Sequence, residues 1–172
     1  EGKGEVGQRD LVKNSLRMRP DRIILGEIRG SEALDVLQAM NTGHDGSMTT
    51  IHANSPRDAL TRLESMVSMS GVSIPVGPLR GQIASATDVV LQLERHSDGR
   101  RRLVSIQEIN GMEGDVICMS ELFRFRRRGV SESGEVLGTY EATGVVPGFY
   151  EELNAKGVEL DIGLFRGDEP ES

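Results

Sequence analysis

The sequence predicts an α/β fold, with a parallel sheet flanked by helices, then an antiparallel hairpin and a smaller α+β extension. Three observations carry that prediction. Two apolar runs, "RIIL" and "SMTTI", are separated by a helix-patterned stretch, the strand–helix–strand spacing of a parallel βαβ unit. Two further apolar-containing runs flank Asp98-Gly99, as the arms of an antiparallel hairpin do. Finally, 172 residues with 37% hydrophobic and 27% charged side chains can bury the core of one domain with a small appendage, without the composition of a disordered chain.

Each element follows in chain order. "QRDLVKNSLRMR" places Leu11, Val12 and Leu16 at helical spacing and is stopped by Pro20. "RIILGEI" is a short buried strand. Ser31 caps a helix through about Met40, with Leu34, Leu37 and Met40 on one face and Gly43 beyond its end. "SMTTIHA" is a β-branched strand parallel to the first. In "SPRD", Ser55 is an N-cap, Pro56 the first helical residue and Asp58 the capping-box acid, with Leu60, Leu63 and Val67 facing inward. "PVGPLRGQIASA" forms a further helix, and "DVVLQLERHSDGRRRLVSIQEI" the hairpin. Strands are expected over 115–127 and 136–143, and a helix after Pro147 holding Phe149, Tyr150 and Leu153. The expected division is 1–110, 111–166 and a disordered tail, 167–172.

Composition removes several function classes. Up to residue 110 there are 14 basic and 14 acidic side chains, and from 111 onward 6 and 13, so the net charge of −7 arises in the last third. That balance opposes a phosphate-backbone binder, and four Phe, two Tyr and no Trp leave few stacking platforms, so no nucleic-acid partner is expected. No apolar run approaches the ~18 residues a membrane span needs. Cys118 is the sole cysteine and reads as a small buried hydrophobe. Arg124, Arg126, Arg127 and Arg128 in "RFRRRG" form a basic cluster: a solvated face, or a contact for an acidic partner or lipid headgroups.

The candidate chemistry lies at the strand ends, where ligands of open α/β sheets bind. Glu27 follows the first strand and His52 the second, so both face one crevice. Gly26 projects no side chain and leaves room for a phosphate or metal ion. Phosphoryl transfer to water needs a group that orients the nucleophile and cations that balance charge. Glu27 suits the first task, and His52, beside Thr49 and Thr50, can read a terminal phosphate. Alone, a glutamate at a strand end is more often simply solvated, and a lone histidine such as His44 or His96 is more often structural. The joint placement at consecutive strand tips raises the chemical reading above those.

The segment from "EGKGEVGQRD" through "TRLESM" resembles the later half of the motor domain in CpaF-type ATPases of the type II/type IV secretion superfamily, the motors of tight-adherence (Tad/Flp) pilus systems. "RIILGEIRG" is similar to their Walker B segment, and "GSMTTIHANS" to their histidine box. The likeness continues through "GMEGDVICMSELFRF" and "TGVVPGFYEELNAKGVELDIGLF", so it spans nearly the whole chain. It implies a partial RecA-like sheet, use of ATP and Mg2+, a homo-hexameric ring, inner-membrane platform proteins as partners, and a place at the cytoplasmic face of a bacterial inner membrane. It implies Glu27 and His52 as catalytic residues and Arg29, Arg19 and Arg17 as candidates for nucleotide or inter-subunit contact, with no metal site built from protein side chains alone. A guanidinium suits that role because its fork grips phosphate oxygens at two points. Arg17 and Arg19 also fit as partners of their helix's carboxyl end.

One departure is large. No G-x-x-x-x-G-K-[ST] loop is present; in "EGKGE", Gly4 follows Lys3. The opening at Glu1 leads us to expect a segment of a longer chain, with that loop upstream, and a segment that does not hydrolyse ATP by itself. A non-catalytic oligomerisation or partner-docking module is the competing reading, and a nucleic-acid translocase a more distant one.

Overall fold

The structure is a computed structural model, and it describes residues 4–167. The chain divides into two compact units, Glu1–Thr87 with Gly111–Ile117, and Asp88–Asn110 with Cys118–Ser172. The expected break after residue 110 thus falls inside a strand, Arg101–Glu113, because the tip of a long hairpin groups with the first unit. The tail from 168 onward lies outside the described residues.

In the first unit, α1 (Gln8–Leu16) leads to β1 (Ile24–Leu25), α2 (Glu32–Met40), β2 (Met48–Thr49), α3 (Pro56–Ser68) and α4 (Val76–Ala86). The βαβ expectation holds: β1 and β2 pair in parallel, Ile24 with Met48 and Leu25 with Thr49. The strands are two residues long instead of the seven expected of each. A strand persists only where a neighbour continues its ladder, and beyond Leu25 that ladder is interrupted: the Ile28 amide still reaches the Thr50 carbonyl, but side chains take the Glu27 carbonyl and the Arg29 amide. The core is built around α2, where Ala33, Leu34, Val36, Leu37 and Ala39 are all buried. It meets Val12 of α1, Leu60, Leu63 and Val67 of α3, and Leu79 and Ile83 of α4. Helix α1 ends at Leu16, three residues before its expected limit, as Arg19 turns to φ +53° ahead of Pro20.

Ser55 caps α3 as its spacing predicts, accepting a hydrogen bond from the Asp58 amide at 3.1 Å. At α2 the expected cap fails: Ser31 makes no side-chain cap bond, and Glu32 takes the neighbouring amides instead.

The second unit holds an antiparallel sheet in the order β3 (Val89–Arg95), β4 (Arg101–Glu113), β5 (Val116–Val130), β6 (Val136–Ala142), then α5 (Phe149–Ala155) and a 3-10 turn, Ile162–Phe165. The hairpin turn sits at Asp98-Gly99 as expected, with Gly99 at φ +78°. Asp98 accepts from both terminal nitrogens of Arg102, at 3.0 and 2.7 Å, and from the Val136 amide at 3.0 Å, tying that turn to β6. Phe165 is buried against Phe123, with ring centres 5.6 Å apart. The "RFRRRG" cluster lies on β5, and three of its four arginines pair internally with two glutamates. Arg126 and Arg128 both pair with Glu141, and Arg124 with Glu121. Alternation along the strand puts those three arginines on one face, with Glu141, the register partner of Arg124, on the same side.

Candidate active site at the tips of two parallel strands

The segment Gly26–Gly30 leaves β1 with no strand to continue into, so its backbone groups need other partners. Thr50, just past β2, supplies two: its hydroxyl donates to the Gly26 carbonyl, and its carbonyl accepts from the Ile28 amide at 2.9 Å. From the first turn of α1, Gln8 Nε2 donates to the Glu27 carbonyl at 2.6 Å. From the start of α2, Glu32 Oε1 accepts from the Arg29 amide at 2.6 Å and the Gly30 amide at 3.0 Å. Three elements therefore pin five consecutive residues.

The side chains carried by that segment divide the labour. Arg29 Nη2 donates to Glu27 Oε1. Glu27 Oε2 is buried and has no hydrogen-bond partner, while His52 Nε2 lies 3.4 Å from it. That separation is an ion-pair contact whose alignment falls short of a hydrogen bond. Glu27 is 25% exposed at its side chain, whereas Arg29 and His52 are largely open. Nothing lies within 4 Å of where a side chain on Gly26 would start, so the mouth is clear there.

Charge follows the geometry. The Arg29 guanidinium holds the Glu27 carboxyl below the usual carboxylate range; partial burial pushes the other way, and the nearby His52 adds to the lowering. Glu27 in turn raises the guanidinium of Arg29. At neutral pH, Glu27 is thus an ionised carboxylate with one oxygen engaged and the other lacking a donor. A buried anionic oxygen without a donor is costly unless a water or ligand proton reaches it. Such a group can orient a water molecule and accept its proton, and a cation two residues away can balance negative charge on whatever the water attacks.

The expected site residues are therefore brought together unequally. Glu27, Arg29 and His52 meet, with Gly26 beside them. Thr50 adjoins them, but its hydroxyl proton is committed to the Gly26 carbonyl. Thr49 Oγ1 makes only a long contact, 3.5 Å, to the Thr50 carbonyl. Arg17 and Arg19 are exposed at and beyond the end of α1, and among the described residues neither side chain makes a hydrogen bond or ion pair. Gln8 and Glu32 were not legible as site residues. A glutamine opening a helix and a glutamate in a helix's first turn are ordinary surface choices, and both act through backbone atoms distant in sequence or outside the helix.

Comparison with known proteins gives the family. The family model described as "Type II/IV secretion system protein" matches residues 1–141. A Mycobacterium tuberculosis protein provisionally named for conjugal transfer is 46% identical over 116 residues, covering 67% of this chain and 32% of that protein. Protein VirB11 of Agrobacterium fabrum is 41% identical over 99 residues, 56% of this chain and 29% of its own length. The crystal structure of the VirB11 ATPase from the Brucella suis type IV secretion system, in complex with sulphate, superposes with a TM-score of 0.55 at 34% identity, over 59% of this chain and 31% of that one. The chain belongs to the type II/IV secretion ATPase family. It spans about a third of the length of these relatives.

Proposed function

We propose that these residues form the hydrolytic side of the nucleotide site in a secretion motor, and that the protein carrying them couples ATP hydrolysis to Tad/Flp pilus assembly or protein export. The motor is a homo-hexamer working against inner-membrane platform proteins at the cytoplasmic face of the membrane. One observation carries the chemistry: a Glu27 carboxylate whose Oε1 is locked by Arg29 and whose buried Oε2 is left facing His52.

In this reading Glu27 Oε2 orients the attacking water and takes its proton. His52 hydrogen-bonds an outer phosphoryl oxygen and so reports the presence of the terminal phosphate. Arg29 steadies the charge developing there. ATP with Mg2+, when bound, supplies the electrophilic phosphoryl group and neutralises the rest of the phosphate chain. The residues fit the outer end of a nucleotide, with the open mouth at Gly26 and a Glu27 Oε2 that accepts no hydrogen bond. They do not fit its inner end, since no phosphate loop or magnesium-holding hydroxyl of that loop is in the 172 residues. The proposal therefore concerns the protein in which this segment stands beside such a loop.

Glu27→Gln tests it. In that protein, ATP binding should stay near normal while turnover falls by about 10² or more. Near-normal turnover would remove Glu27 from its role.

The alternative reading is a non-catalytic module that supplies ring contacts or docks on a partner. The internal pairing of Arg124, Arg126 and Arg128 weakens the basic cluster as its docking surface.

A further inference from the structure

Glu32 is a buried carboxylate, 6% exposed, that the proposed chemistry leaves without a part. It stands in the first turn of α2, where an acid commonly serves the helix dipole. Its hydrogen bonds point elsewhere. Oε1 reaches back out of the helix to the amides of Arg29 and Gly30, residues that precede the helix and belong to the site segment. Burial pushes this carboxyl up, but those two amides and its own together hold it below the usual range, so it remains an ionised acceptor.

The geometry fixes what this clamp controls. Arg29 is a long side chain, 74% exposed. Its guanidinium reaches Glu27 Oε1 only if the Arg29 backbone is held at a set angle to that of Glu27, two residues earlier. On the Glu27 side, Thr50 and Gln8 fix the backbone. On the Arg29 side, Glu32 alone among side chains takes the amides. If that clamp slackens, the guanidinium is free to fork across both carboxylate oxygens or to leave them.

We infer that Glu32 is a positioning residue: by holding the amides of Arg29 and Gly30, it confines the Arg29 guanidinium to Oε1 of Glu27 and keeps Oε2 available for the attacking water. This deepens the hydrolytic reading of the site and rests on it. A plain helix-stabilising role would depend on the charge of residue 32. Positioning depends on the reach of an acceptor oxygen.

The test compares variants in the full-length ATP-hydrolysing protein. Glu32→Ala should lower kcat about tenfold or more with KM for ATP within about threefold. Glu32→Gln, which loses the charge but keeps an amide oxygen at the same reach, should hold kcat within about threefold. Glu32→Asp, which keeps the charge one methylene short, should fall with Glu32→Ala. In an Arg29→Ala background, Glu32→Ala should cost little more, because its effect passes through that arginine. A Glu32→Gln protein as slow as Glu32→Asp, or full additivity with Arg29→Ala, would overturn the inference. If Glu32→Ala does not fold, the Gln and Asp pair still decides. Glu27→Gln is measured alongside: normal turnover there brings down the hydrolytic reading and this inference with it. An inactive Glu27→Gln with an unimpaired Glu32→Ala or Glu32→Asp sinks the inference alone.

Discussion

A carboxylate can take a proton from water only while it is ionised, and Arg29 decides how far into acid Glu27 stays so. The guanidinium donates to Oε1 and holds the carboxyl below its usual range. The sign is that of a depressed acid: whatever the carboxylate contributes is complete above its unfolded-chain pKa and is lost as pH falls through the lower folded value. If Glu27 is the base, the acidic limb of a pH–rate profile should lie below the ordinary glutamate range. Replacing Arg29 by Ala removes the largest lowering influence and leaves burial, which acts upward. The limb of Arg29→Ala should therefore move to higher pH. A limb unchanged by that substitution would show that another group governs it. Glu27→Gln should abolish the limb along with most of the turnover.

At the scale of elements, what was legible followed from local chemistry. Ser55 with Asp58, the Asp98-Gly99 turn and the parallel pairing of β1 with β2 are each written in a few adjacent residues, and each stands where it was expected. The lengths of β1 and β2 were not legible, since the apolar residues within 22–28 show that a strand is favoured but not how far a neighbour will pair with it. Nor was the clamp by Glu32, because Ser31 carries the stronger capping signal and only the fold shows which side chain meets the amides. In the candidate site, Glu27 and His52 could be placed together by their positions at consecutive strand ends, whereas Arg17 and Arg19 stand exposed at and beyond the end of α1, where a single chain gives them no partner among the described residues. Gly138 of β6 lies opposite Arg127, and a Cβ there would stand 2.6 Å from the Arg126 carbonyl and 2.3 Å from Phe125 Cζ. Backbone cannot yield as a flexible side-chain end can. Gly138→Ala should destabilise the protein by about 1–3 kcal/mol, read as a lower denaturation midpoint, without altering the residues at Glu27. An unchanged midpoint would mean that β5 and β6 are less closely apposed than this register implies.

At the scale of the whole molecule, the two readings of function separate on nucleotide affinity. The 172 residues offer an outer phosphate the Glu27–His52 mouth and the Arg29 guanidinium, but no run of backbone amides for the inner phosphates. Contacts to one end of a charged, strongly hydrated ligand leave little after the cost of association, so this chain alone should bind Mg-ATP no tighter than about millimolar. A longer protein that sets a phosphate loop against the same mouth should bind in the micromolar range and hydrolyse. Isothermal titration of both proteins with ATP and magnesium, beside a phosphate-release assay, gives each reading a way to fail. A longer protein that carries the loop yet neither binds nor hydrolyses ATP would end the motor reading and favour the module. Binding and turnover in that protein, with only the turnover lost on Glu27→Gln, would end the module reading, because a docking surface has no use for a carboxylate on which hydrolysis depends.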